Sequence, residues 1–158
     1  MEPIYTNPET ENRPVSNEPD PEAVAQMKSG ANWFYWIAGL SLVNSAIYAF
    51  GGDISFILGL AATQMVEGIT DAAIAEGLPS LLKAVAIVIN LVITGVFALF
   101  GYYANKGMAA AFIVGIVLYI LDGLLYLAIG SLFAGGFHVF ALVFIVRGFL
   151  ASRSIAKA

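Results

Sequence analysis

The sequence predicts an all-α integral membrane protein, a four-transmembrane-helix bundle with an additional re-entrant or interfacial amphipathic helix between spans one and two. Composition predicts the membrane class, because 59% of the 158 residues are hydrophobic and only 11% are charged. Soluble domains hold about 45–50% apolar and about 25% charged residues. The mean hydropathy of +0.84 agrees. Four apolar stretches also approach the roughly 20 residues that cross a hydrocarbon core. A water-soluble globule is therefore excluded.

The N-terminal segment, residues 1–31, differs sharply from the rest of the chain. It contains six acidic and two basic residues and five of the six prolines. Such a composition offers no apolar face to bury, so we expect a disordered, acidic, Pro-rich cytoplasmic tail. Residues 32–158 are expected to form the helical membrane domain. This domain carries five acidic and five basic residues, so it has no basic patch for nucleic acid.

The predicted spans are about 33–50, 81–103, 108–129 and 132–150. Between the first two lies a segment, about 53–76, that is apolar at first and then acidic. Its polar positions Gln64, Glu67 and Asp71 recur every three or four residues, which is typical of an amphipathic helix. The sequence leaves open whether residues 54–70 span, re-enter or lie on the membrane.

The basic residues favour the four-span interpretation. With four crossings, six of the seven lysines and arginines lie on one side and only Lys83 on the other. Five crossings would divide them between the two sides. Positive charge is retained in the cytoplasm, so we expect a multi-pass protein of the bacterial inner (plasma) membrane with both termini cytoplasmic. Five aromatic residues would form an interfacial belt on the same side: Trp33, Tyr35, Trp36, Tyr102 and Tyr103.

Several polar residues fall inside the predicted spans. Asn44, Asp122 and His138 share one depth, roughly 9–11 Å below the outer boundary at about 1.5 Å per residue. A carboxyl group there needs a partner or water, and His138 is its natural partner, with Asn44 as a second donor. We interpret the group either as a proton or ion path or as a polar clamp between helices. The predicted intramembrane cluster comprises Asn44, Tyr48, Asn90, Asp122, Tyr126 and His138.

An acidic rim is predicted on the outer side, comprising Asp53, Glu67, Asp71 and Glu76. Acidic residues at helical spacing usually form a solvated face, and the chain has neither an HExxH motif nor paired histidines. We therefore expect no metal site. No nucleophile elbow, phosphate loop or dinucleotide motif occurs, and the chain has no cysteine. No catalytic residue and no cofactor is predicted.

These features predict an accessory, scaffold or complex-subunit protein of the membrane, because packing motifs are present and catalytic groups are absent. The alternative is a small proton- or ion-coupled transporter or channel subunit that uses Asp122 and His138. A membrane-embedded enzyme is the third interpretation. The expected partners are the lipid bilayer and other membrane-protein subunits or a second copy of this chain, with no nucleic acid.

Overall fold

The computed structural model describes residues 19–51 and 59–157, which form five α-helices and no strand. The helices are α1 (Pro21–Ala49), α2 (Ala61–Ala75), α3 (Leu81–Asn105), α4 (Ala109–Ala128) and α5 (Leu132–Ile155). Helices α3, α4 and α5 are each long and apolar enough to cross a membrane. The predicted all-helical class and the membrane character are therefore confirmed for the described residues.

The first helix begins at Pro21, well before the predicted start at residue 33. Asp20 caps it, because its side chain accepts the Glu22 N–H at 3.0 Å, and proline is favoured at the first helical position. Residues 21–31, predicted as tail, are thus helical, and residues 1–18 of that predicted tail lie outside the described residues. The helix is not among the three strongly apolar ones, and its buried face includes Ser41, Asn44 and Ser45.

Helix α1 packs antiparallel to both α3 and α5. At one end the Asn105 amide donates to Asn32 at 3.1 Å. At the other the Lys83 ammonium lies 4.5 Å from the centre of the Tyr48 ring. We name these the Asn105 end and the Lys83 end of the bundle. Helix α1 therefore runs alongside α3 for nearly the full length of α3.

Glycines allow α1 and α5 to approach closely. A Cβ atom built on Gly30 would lie 2.6 Å from the Cα of Gly148, so a larger residue would force the two backbones apart. Toward the Asn105 end the core is aromatic, with the Phe34 ring 6.0–6.5 Å from the rings of Phe97, Phe100 and Phe112. We call these four rings the Phe34 cluster. The interior at the Phe34 cluster is therefore apolar.

Helix α2 lies at the Lys83 end, against α3 and α4. Just before its start, the Leu60 N–H donates to Ser41 Oγ at 2.9 Å. Further along, Asp71 accepts from the Tyr48 hydroxyl at 2.9 Å. Ser41 precedes Tyr48 by seven residues, or about 10 Å of helix. The N-terminus of α2 therefore lies deeper in the bundle than its middle. Residues 52–58 of the predicted 53–76 segment, with Asp53, lie outside the described residues.

Candidate functional site

Asp122 of α4 binds the N-terminus of α2. Its Oδ2 accepts the Ala61 N–H at 2.8 Å and its Oδ1 accepts the Ala62 N–H at 2.9 Å, and the residue is only 5% exposed. The first N–H groups of a helix have no partner within the helix, and a negative group is favoured there by the helix dipole. The residue at the N-cap, Leu60, has no polar side chain. Asp122 therefore caps α2 from another helix.

His138 of α5 is the second partner of Asp122. Its Nε2 lies 2.9 Å from Asp122 Oδ2, and its Nδ1 lies 2.9 Å from the Ala134 carbonyl oxygen. A carbonyl oxygen only accepts, so Nδ1 carries a hydrogen. The bond between Nε2 and Oδ2 then needs one further proton, on either atom. The pair is thus an imidazolium beside a carboxylate or a neutral imidazole beside a carboxylic acid, with zero net charge in both cases.

Two tyrosines enclose the histidine. The Tyr119 ring stacks on the imidazole with ring centres 4.3 Å apart, and the Tyr126 ring lies 5.2 Å away. The Tyr126 hydroxyl donates to the Gly59 carbonyl at 3.2 Å. On α4, a Cβ atom built on Gly123 would lie 3.0 Å from the Cβ of His138. The imidazole is therefore held in one orientation by rings and by a glycine that makes room for it.

A second buried polar group surrounds Glu67 of α2. Its Oε1 accepts from Asn90 Nδ2 at 2.7 Å and from Ser45 Oγ at 3.2 Å. Asn90 Nδ2 also donates to Ser45 Oγ at 3.1 Å. Glu67 is only 8% exposed, and burial raises its pKa above the usual range. Three helices therefore meet at one carboxyl group.

A groove of about 540 Å³ separates parts of α3 and α4 on the side of the bundle. Most of its lining is apolar, including Val92 and Val96 of α3 and Leu121 of α4, all of which are exposed. Asp122 also lines it. The Asp122–His138 pair therefore lies between a packed interior on one side and a laterally open groove on the other.

Most of the predicted site residues belong to one of the two polar groups. Asp122 and His138 are in contact, with Tyr126 beside the histidine. Asn90 belongs with Glu67, and Tyr48 with Asp71. Asn44 is buried and its side chain lies against Gly59. Of the predicted acidic rim, Asp71 and Glu76 are exposed whereas Glu67 is buried.

Sequence reasoning missed several members of the site. Ser41, Ser45 and Tyr119 were not among the predicted site residues. A signal for the serines was present, because positions 41, 44, 45 and 48 form a polar stripe at helical spacing on α1. The backbone N–H groups that bind Asp122 had no such signal, since every non-proline residue carries one.

The described residues contain no group of three or more histidine and acidic side chains placed to hold a metal ion. No family model, curated protein or solved structure matches the chain.

Proposed function

We propose that the chain crosses the membrane four times, with α1 as the first span, and that α2 is a re-entrant half-helix. Two observations support this arrangement. Helix α1 lies beside α3 from Asn32 at the Asn105 end to Tyr48 at the Lys83 end, so it covers the same thickness as a helix apolar enough to span. The N-terminus of α2 lies at the depth of Ser41, and irregular backbone at such depth is tolerated where it is buried in protein.

In this proposal the Asn105 end faces the cytoplasm of a bacterial inner membrane and the Lys83 end faces outward. Six of the seven basic residues belong to the cytoplasmic side, as the positive-inside rule favours. Reporter fusions after residue 158 and in the turn at Lys106 should both report a cytoplasmic location. An external signal from the C-terminal fusion would contradict the four-span arrangement.

We propose that the protein is a small proton-coupled transporter or channel subunit in which the Asp122–His138 pair carries the proton. One observation carries this proposal: His138 Nε2 lies 2.9 Å from Asp122 Oδ2 while Nδ1 lies 2.9 Å from a carbonyl oxygen, and this arrangement has room for one proton between the two buried side chains. Ionisable residues inside membrane segments usually mark proton relays or ion pathways. In transporters a half-helix N-terminus often points at an anionic group of the substrate within the membrane, and here the N-terminus of α2 points at the carboxyl group of Asp122.

The Phe34 cluster gives the proposal a direction. It fills the interior on the Asn105 side of the pair with apolar rings, whereas polar side chains continue toward the Lys83 end. In this conformation the pair exchanges protons only with the Lys83 side. Release to the other side requires a rearrangement, and the α3–α4 groove beside Asp122 provides space for it.

Proton flux into proteoliposomes tests the proposal directly. Purified protein is reconstituted with a pH-sensitive dye inside the vesicles, and a potassium diffusion potential drives proton entry. We expect flux from the wild type and none above protein-free vesicles from Asp122→Asn, which keeps the shape but cannot exchange a proton. The Glu76→Gln variant makes the same acid-to-amide change at an exposed position at the C-terminal end of α2 and should conduct normally. Wild-type flux equal to that of empty vesicles would refute the proposal.

An accessory or scaffold role is the second candidate, favoured by the bonds from Asp122 to Ala61 and Ala62, which fix α2 to the bundle. A polar clamp of this kind needs no proton exchange. Under this alternative the wild type conducts no protons, and a constant membrane partner co-purifies with it under native conditions.

A further inference from the structure

The Asp122–His138 mechanism leaves one buried acid without a role. Glu67 is held by Asn90 and Ser45 inside the bundle, on the Lys83 side, from which protons reach the Asp122–His138 pair in the proposed function. The charged groups that act on it electrostatically are Asp71 and Lys83, and both lie toward the Lys83 end. A carboxyl group in such a position is costly to bury, and its bonds to two other helices do not by themselves require an ionisable side chain.

The two polar groups lie about one helical turn apart. On α1, Ser45 contacts Asn90 and Glu67, while Ser41, one turn deeper, binds the chain beside the Asp122-bound N-terminus of α2. On α3, Thr94 follows Asn90 by one turn. Because α1 and α3 are antiparallel, with Ser45 level with Asn90, Thr94 lies level with Ser41. Thr94 therefore shares the depth of the Asp122–His138 pair.

Three buried polar atoms in this region have no hydrogen-bond partner among the described protein atoms: Asn90 Oδ1, Thr94 Oγ1 and the Tyr119 hydroxyl. The three residues are 0%, 7% and 0% exposed. Asn90 belongs to the Glu67 group, Thr94 lies one turn deeper, and the Tyr119 ring stacks on His138. The Phe97 ring, on the next turn of α3 after Thr94, lies 6.2 Å from the Tyr119 ring. The unpaired atoms thus extend from the carboxyl of Glu67 to the imidazole.

We propose that a short chain of buried water molecules joins Glu67 to the Asp122–His138 pair, bound by Asn90 Oδ1, Thr94 Oγ1 and the Tyr119 hydroxyl, and that Glu67 is the proton-uptake group. The proposal rests on the proposed function for its direction of transfer. A proton taken from bulk water by Glu67 is passed along the waters, each step forming one O–H bond as another breaks. It arrives on Oδ2 or Nε2 after the pair has released its own shared proton to the opposite side, so the pair returns to zero net charge and no other reactant is needed.

Two physical arguments support the water chain. A buried water typically makes about three hydrogen bonds to otherwise unsatisfied polar groups, and the unpaired atoms supply such partners at successive depths. Hydroxyl groups both donate and accept, so Thr94 and Tyr119 can join a relay that an apolar side chain would break. Burial also raises the pKa of Glu67, which favours a carboxyl group that holds a proton before passing it on.

Radiolytic footprinting of the reconstituted protein tests the waters without any flux measurement. Hydroxyl radicals generated from bound water label the side chains next to it. Tyr119 should be oxidised although it is fully buried, whereas Phe112, equally buried in the Phe34 cluster, should stay unlabelled. The Thr94→Val variant should reduce the label on Tyr119. Labelling of Tyr119 no greater than that of Phe112 would overturn the water chain, whatever the protein conducts.

Flux measurements on near-isosteric variants test the relay. We expect Tyr119→Phe, Thr94→Val and Glu67→Gln each to lower proton flux by about tenfold, the effect of losing roughly one hydrogen bond at the rate-limiting step. The matched control is Thr70→Val, because the Thr70 hydroxyl bonds its own helix at Val66 and stands outside the relay. Wild-type flux that survives all three substitutions would overturn the relay while leaving the proposed function intact. Absence of wild-type flux would refute the function, and the footprint would still decide whether the waters are present.

Discussion

Replacing Asp122 with leucine removes the acceptor of two backbone N–H groups at once. Ala61 and Ala62 would each lose a charge-assisted bond of 2.8–2.9 Å, in a region where Ala61 is 1% exposed. A buried donor left without a partner costs about 1–3 kcal/mol. The free energy of unfolding should therefore fall by about 2–6 kcal/mol in Asp122→Leu.

The asparagine variant should fall between the wild type and the leucine variant. Its amide oxygen can still accept from Ala62, and its NH₂ group can donate to Nε2 of a neutral His138. The same NH₂ group then faces the Ala61 N–H, so one donor loses its acceptor. We expect a loss of about 1–3 kcal/mol for Asp122→Asn, roughly half the loss for Asp122→Leu.

Reversible unfolding in mixed detergent micelles, followed by circular dichroism, measures both losses. The matched control is Glu76→Gln, which makes the same acid-to-amide change at an exposed position and should stay within about 0.5 kcal/mol of wild type. If the asparagine and leucine variants are equally stable, the prediction that asparagine leaves one N–H group without an acceptor and leucine leaves two is wrong. A leucine variant as stable as the wild type would show that Asp122 does not hold the N-terminus of α2.

Three further changes have defined outcomes. Burial raises the pKa of Glu67, so the wild type should lose stability relative to Glu67→Gln as the pH rises above about 4.3, the usual pKa of glutamate. Melting temperatures of both proteins between pH 4 and 8 measure this difference. A wild type that gains stability relative to Glu67→Gln over this range would contradict the prediction. Gly148→Ala should lower the free energy of unfolding by about 1–3 kcal/mol through overpacking between α1 and α5. Gly39→Ala, where a Cβ atom meets nothing within 4 Å, should raise it by roughly 0.5–1 kcal/mol. Similar effects of the two substitutions would refute the close approach of α1 and α5. Asp20→Ala should cost about 1 kcal/mol through loss of the N-cap of α1 and fray its first turn in hydrogen exchange; unchanged protection there would exclude the cap.

Much of the helical fold could be predicted because apolar stretches long enough to span a membrane leave few alternatives. The predicted ranges of the last three spans lie close to the observed helices α3, α4 and α5. The start of α1 lies earlier than predicted, because residues 21–31 have no long apolar stretch and the helix begins there at the local capping pattern Asp20-Pro21-Glu22. A helix cap depends on two or three adjacent residues, and the average composition of a 31-residue segment does not show it.

The candidate site was only partly predictable. Depth along antiparallel helices put Asp122 and His138 at one level, which requires only the rise per residue. The bonds from Asp122 to the start of α2 were not foreseen, because they join backbone groups about sixty residues earlier in the chain. The burial of Glu67 was also missed, because an acidic residue at helical spacing usually faces water, and its partners Ser45 and Asn90 lie on two other helices.

The cap that Asp122 provides for α2 also sets an order of events during synthesis. Ala61 precedes its acceptor by 61 residues, and at translation rates of about 5–20 residues per second Asp122 is made roughly 3–12 s after Ala61. Until α4 enters the bilayer, the first N–H groups of α2 need another acceptor, which the water at the membrane surface supplies. In the proposed four-span arrangement, we therefore expect α2 to stay at that surface and to take its buried position after α4 has been inserted. Chains halted before Asp122 should remain open to proteases at α2, and chains that extend past His138 should not.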